Sequence, residues 1–271
     1  MTIDDILNND IFDMFTPINL RFKHKWISKI YAESGYSSAL NRALREGIDM
    51  TNGPKRLFER NRDYVFMLVN SLIYQRKYES ARYWIDKLDE DLLVEKSKTE
   101  YYPGYNMTVY YNLKMKICKE LCNNKNAKEI MISVDPDIKD YMERIMLGVE
   151  ENLKYYKEQT DQVGFMINEI YYLYHFILGN FDIAKEYAEI IQNMKYTNDN
   201  HMIIPALMFA ELSKASGNRA ECEKWMQTAK EKAEARAKFA GWTDAMLYNE
   251  YSSKLGVGTR IDTKQKIFID F

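Results

Sequence analysis

The side chains best suited to hold a metal or attack an electrophile are His24, His175 and His201 with Cys118, Cys122 and Cys222, scattered through 271 residues. No histidine pair has the H-E-x-x-H spacing that aims two imidazoles at one zinc ion. Cys118 and Cys122 lie one helical turn apart and share a face, but no second cysteine pair or nearby histidine completes a tetrahedron, so a structural thiol role is expected. The phosphate cradles G-x-x-x-x-G-K-[ST] and G-x-G-x-x-G and the nucleophile elbow G-x-S-x-G do not occur, and Gly256-Val257-Gly258 reads as a joint. Asp86, Asp89 and Glu90, like Glu231 and Glu234, stand near lysines, the pattern of a solvated, salt-bridged helix surface. His175 falls within the apolar run 170–178 and is expected to be a core histidine hydrogen-bonded to a neighbouring helix. The reading is therefore of a non-enzymatic protein with no catalytic residue, metal or cofactor.

Contact surfaces are the remaining candidates. Tyrosine is abundant, at 21 residues, and suits interfaces because it buries a ring while keeping its hydroxyl wet. Tyr171, Tyr172, Tyr174 and His175 are the candidate partner contacts. Residues 1–20 carry four aspartates and no base, whereas residues 21–62 carry ten lysines and arginines against four acids. Arg21, Lys23, Lys25, Lys29, Arg42 and Arg45, interleaved with Phe22, Trp26 and Tyr31, form a candidate basic surface. The net charge of -2 disfavours nucleic acid as its partner, and neutralisation by the acidic start or a neighbouring subunit is the simpler reading. Residues 258–271 are β-prone, and Ile267, Phe268, Ile269 and Phe271 are expected to dock on the body or on a second chain, allowing self-association.

Those surfaces need a framework, and the composition points to helices. Gly 11 and Pro 5 supply too few turn breakers for an all-β fold. Pro17, Pro54, Pro103, Pro136 and Pro205 stand where helices can begin, and Gly35, Gly47, Gly179, Gly217 and Gly241 where they can stop. The pattern predicts helices over 2–15, 17–33, 36–46, 54–75, 78–93, 104–122, 125–134, 136–159, 162–178, 181–194, 203–216, 219–240 and 243–255. The start lacks the basic residues of a secretory signal, and no run reaches the roughly 18 uncharged apolar residues of a membrane span. With three sparse cysteines, this reads as a soluble cytoplasmic protein with no membrane partner.

A helix-face pattern occurs four times: a small residue, then apolar or aromatic residues three, four and seven positions later. The copies are Ala81, Trp84, Ile85, Leu88; Ala127, Ile130, Met131, Val134; Ala184, Tyr187, Ala188, Ile191; and Cys222, Trp225, Met226, Ala229. Each follows a turn (Arg76-Lys77-Tyr78, Cys122-Asn123-Asn124, Gly179-Asn180-Phe181, Gly217-Asn218-Arg219) and a more apolar helix. Antiparallel helix pairs that bury their stripes against neighbouring pairs account for this.

The segment Leu178-Gly179-Asn180-Phe181-Asp182-Ile183-Ala184-Lys185-Glu186-Tyr187-Ala188 resembles the turn and second helix of a tetratricopeptide (TPR-like) repeat, with weaker matches at 217–229 and 78–88. The small residues are unevenly spaced, no copy has the family's following proline, and only Ala210 supplies its upstream small residue. That describes degenerate repeats with inserted helices, or a bundle built of hairpins. The expected fold is all-α: an N-terminal helical segment over 1–62, stacked antiparallel hairpins of a TPR-like α-solenoid over 63–255, and a short extended tail over 256–271. What the resemblance implies is a scaffold that binds a protein or peptide on its concave face. The alternative is a structural subunit of a viral, phage or secretion assembly docked through the tail, which would place the protein within a virion.

Overall fold

A computed structural model describes residues 76–99, 103–123, 134–154, 156, 161–200, 202–236 and 243–262, with positions 62, 65, 66, 69, 70, 72 and 73. Among the described residues every regular element is a helix. The helices expected over 2–15, 17–33, 36–46 and 125–134, the copy at Ala127, the basic residues Arg21, Lys23, Lys25, Lys29, Arg42 and Arg45, and the anchors Ile267, Phe268, Ile269 and Phe271 lie outside them. The chain divides into compact units between Lys96 and Ser97.

In the first unit, helical positions Val65, Phe66, Val69 and Leu72 are buried, as are Tyr78, Ala81 and Ile85 of α1 (Tyr78–Ile85). The continuous helix expected over 78–93 is interrupted, and α2 (Glu90–Ser97) begins anew. The cause is Asp89, whose carboxylate accepts from the Leu92 N–H at 3.0 Å and caps the new helix.

The second unit holds α3 (Tyr105–Asn123), α4 (Pro136–Asn152), α5 (Asp161–Ile177), α6 (Phe181–Asn193), the short α7 (Lys195–Asp199), α8 (Ile204–Ala215), α9 (Arg219–Arg236) and α10 (Thr243–Leu255). Asp135 caps α4 through the Asp137 N–H, with Pro136 in the first turn. The helices touch as α3 with α4 and α5, α5 with α6, α6 with α8, α8 with α9, and α10 with α8 and α9. Residues 205–212 of α8 are all buried, as is nearly all of α5 from Val163 to Ile170, so these two are interior helices. In contrast, α6 and α9 bury one narrow stripe each: Ala184, Ala188 and Ile191, then Cys222, Met226, Ala229 and Ala233. Small side chains there let each helix lie close to its partner.

Three turns repeat one hydrogen-bond pattern. Gly179 and Asn180 donate to the Phe176 and His175 carbonyls at 3.1 and 2.9 Å, and Gly217 and Asn218 to Lys214 and Ser213 at 3.0 and 2.8 Å. Arg76 and Lys77 donate likewise to Ile73 and Leu72 at 2.9 and 2.8 Å. This is the Schellman closure, which needs a left-handed residue: Gly179, Gly217 and Arg76 have φ of 76°, 72° and 60°. In each case the residue five positions on, Ala184, Cys222 or Ala81, is fully buried. After α10 the chain folds back, burying Val257 and Ile261 in one cluster with Met226, Ala229 and Tyr248. The Asn249 amide grips Ile261, donating to its carbonyl at 2.9 Å and accepting from its N–H at 2.8 Å.

A side chain in the left-handed region costs about 1–2 kcal/mol, while glycine costs about 0.5–1 kcal/mol of extra chain entropy. Arg76→Gly should therefore stabilise its unit by about 0.5–1 kcal/mol, and Gly179→Ala should destabilise the other by a similar amount. Denaturant midpoints moving in the same direction for both variants would contradict this account of the turns.

Candidate functional site

The C-terminal half of α5 emerges from the core, exposing one side at positions 171, 174 and 175 while Tyr172 stays inside. Across from it, Tyr187 of α6 stands three residues after the buried Ala184. The Tyr187 ring lies nearly parallel to those of Tyr171 and His175, with centroids 5.1 and 5.8 Å away and interplanar angles of 10° and 7°. Tyr174 meets His175 edge-on at 5.3 Å. Together they form a continuous, half-buried aromatic face whose stacked and edge-on geometries are those that aromatic quadrupoles favour.

Exposed apolar side chains occur on α4 and on the Tyr187 side of α6. Leu147 of α4 is 55% exposed, and Ile183 and Ile190 of α6, on one stripe with Tyr187, are 41% and 47% exposed. An open depression of about 540 Å³, lined by Glu186, Glu189, Ile190, Asn193 and Met194, continues the α6 side. Carboxylates stand around the rings. Burial pushes the Tyr171 and Tyr174 hydroxyls above their ordinary pKa of 10, and Glu150 adds to this at both, with Glu143 also acting on Tyr174. Burial likewise raises Tyr187, helped by Glu186. The same burial lowers His175 below its ordinary 6.5, against a smaller opposing pull from Glu186.

A buried polar cluster sets the rotation of α5. Lys119 of α3 binds both oxygens of Glu211 on α8 at 2.5 and 2.7 Å. The Tyr172 hydroxyl shares its one proton between Glu211 Oε2 at 3.3 Å and the Met208 carbonyl at 3.2 Å. Lys119 also reaches the Tyr251 hydroxyl of α10 at 3.4 Å and lies over the Phe176 ring at 5.4 Å. Burial, reinforced by Glu211, holds both tyrosine hydroxyls well above a pKa of 10. Nearby, Lys254 of α10 bridges Glu120 and Glu250, at 2.7 Å from each. Burial opposes the Lys254 charge, and the two carboxylates outweigh it and push its pKa up. One turn back along α5, Glu169 accepts from Asn112 at 2.8 Å and pairs with Lys116 at 3.1 Å. On the other flank, Gly148 lets α4 approach α3: a Cβ there would meet the Tyr111 hydroxyl at 2.5 Å.

Of the four partner contacts expected on α5, the structure leaves Tyr171, Tyr174 and His175 half-buried on one face. Tyr172 is corrected to an interior residue at 0% exposure, because Glu211 and the Met208 carbonyl draw its hydroxyl inward. His175 is not the hydrogen-bonded core residue expected: its enclosed Nδ1 meets no hydrogen-bond partner among the described residues, and ring stacking holds it instead. Cys118 is buried and Cys122 half-buried. Leu147, Ile183 and Ile190 escaped the sequence reading, as did the Lys119–Glu211 pair, although Glu211 is a lone acid amid the apolar residues 205–212. Among the described residues, no three histidine, cysteine or acidic side chains gather as a metal site.

Lys119→Met should cost about 3–5 kcal/mol by stranding a buried carboxylate, and adding Glu211→Met should restore most of that in denaturation experiments. If the double variant is as unstable as the single one, the pair does not organise these helices. Because burial disfavours the imidazolium, His175 should titrate by NMR below 6.5, and Glu186→Gln should lower its midpoint further. The stability linked to His175 is then full above the unfolded value and falls as pH drops below it toward the folded value.

No protein-family model matches the chain, and neither a curated protein nor a solved structure matches it, so any assignment of function rests on this face and the helices that carry it.

Proposed function

We propose that the chain is a non-enzymatic helical-repeat scaffold that binds a protein or peptide partner on the face formed by α4, α5 and α6. The carrying observation is the half-buried Tyr171–Tyr187–His175 stack, with Ile183 and Ile190 exposed on the same stripe of α6 as Tyr187 and Leu147 exposed on α4. Rigid aromatic rings offer contact area at little cost in conformational entropy, and exposed aliphatic side chains beside them gain by being covered.

The finer architecture proposed is a degenerate TPR-like stack. Its support is that turns of one geometry recur at Gly179 and Gly217, each followed by a narrow stripe of mostly small residues, and that α6 adjoins both α5 and α8. A cytoplasmic setting suits Cys118, Cys122 and Cys222, none of which is in a disulfide. Among the described residues no helix is long and apolar enough to cross a membrane.

A photo-crosslinking amino acid at Leu147 or Ile183 should capture a partner in the native host, whereas the same group at the exposed Arg219 of α9 should not. Leu147→Asp with Ile183→Asp should weaken binding of that partner about tenfold or more, as truncated interface anchors do. Equal capture from Arg219, or unchanged affinity in the double variant, would reject this face as the binding site.

A further inference from the structure

Resting on the binding-face reading above, we infer that the partner presents a basic amphipathic segment, with lysine or arginine beside apolar residues. The apolar half of the argument is the α6 stripe Ile183, Tyr187 and Ile190, which spans about 10 Å at 1.5 Å per residue and so matches two turns of a helix laid along it.

The charged half lies in the surrounding carboxylates. On α4, Glu143 faces Lys139 at 3.8 Å and Asp140 faces Arg144 at 2.9 Å; on α6, Glu189 faces Lys185 at 3.8 Å. Exposed Glu150 of α4 and Glu186 of α6, the latter next to Tyr187 in sequence and lining the open depression on α6, form no salt bridge with any described residue. Two uncompensated carboxylates bordering aromatic rings complement a long cationic side chain. Its methylene stem covers the apolar surface, and its head meets a carboxylate or the face of a tyrosine. An acidic segment or a nucleic acid would bring like charge against Glu150 and Glu186, and an uncharged segment would leave both carboxylates partly desolvated without a partner.

The test measures binding of a fluorescent lysine–leucine peptide, with leucines at helical spacing, to the full-length protein by anisotropy. Versions with every lysine replaced by glutamine or by glutamate serve as comparisons. The lysine peptide should bind about tenfold more tightly than the glutamine peptide, the preference should shrink with added salt, and the glutamate peptide should bind most weakly. Glu150→Gln with Glu186→Gln should bring the lysine and glutamine peptides to within about threefold of each other, while Glu221→Gln with Glu223→Gln on α9 should leave the preference intact. Circular dichroism checks that each variant is folded. Equal binding of the lysine and glutamine peptides, or a preference that survives Glu150→Gln with Glu186→Gln, overturns the inference. If crosslinking from Leu147 still captures a partner in that case, the binding face stands and only the charge of its ligand is wrong; if capture from Leu147 and Ile183 also fails, the face itself is rejected.

Discussion

The arrangement of the second unit depends on one buried ion pair. Lys119 and Glu211 come from helices 92 residues apart in sequence, and their side chains are only 5% and 9% exposed. Taking two charges out of water is expensive, and an apolar pair of the same volume can be equally stable, so net energy is a poor explanation for such a pair. Direction is a better one. Apolar contacts tolerate a helix rolled by some tens of degrees, whereas a buried carboxylate with an ammonium on one side and a tyrosine hydroxyl on the other does not. By holding Tyr172 inward, Glu211 fixes the roll of α5, and residues 171, 174 and 175 are thereby turned toward α4 and α6. The candidate binding face thus follows from a polar contact on the opposite side of the same helix.

The small-residue stripes of α6 and α9 contribute spacing where the ion pair contributes direction. Alanine and cysteine bury little area each, so their value lies in proximity: a helix that comes close brings its larger neighbours into contact. On α6 that proximity stacks Tyr187 on Tyr171, and between α8 and α9 it sets Phe209 against Trp225 at 4.6 Å. Both stripes follow the same tight turn, which fixes where the second helix starts and therefore which of its residues face inward.

Much of this was legible in the sequence. The helix predicted over 243–255 matches α10 at both ends, and 104–122 differs from α3 by one residue at each end. Glycine turns and a 3.6-residue apolar period are local signals, and they survive folding. Asp89 was readable in principle as a cap, but among neighbouring acids it looked like surface charge, and the break between α1 and α2 was missed. The short α7 has no apolar period to announce it. Tyr171 and Tyr172 are adjacent tyrosines with opposite fates, one half-buried on the aromatic face and one in the core, because the deciding contact comes from Glu211, distant in sequence. Composition and period cannot report a partner of that kind.

The grip of Asn249 on Ile261 has a mechanical consequence. With one donor and one acceptor, the side-chain amide imitates the pairing of a neighbouring strand, so the backbone leaving α10 is tied down at both of its hydrogen-bonding groups. Tension applied to the polypeptide beyond residue 262 meets those two bonds and the buried Ile261 side chain before it reaches the last turn of α10. Through Asn249 that load enters α10 in its middle, the same helix that Lys254 ties to α3 through Glu120.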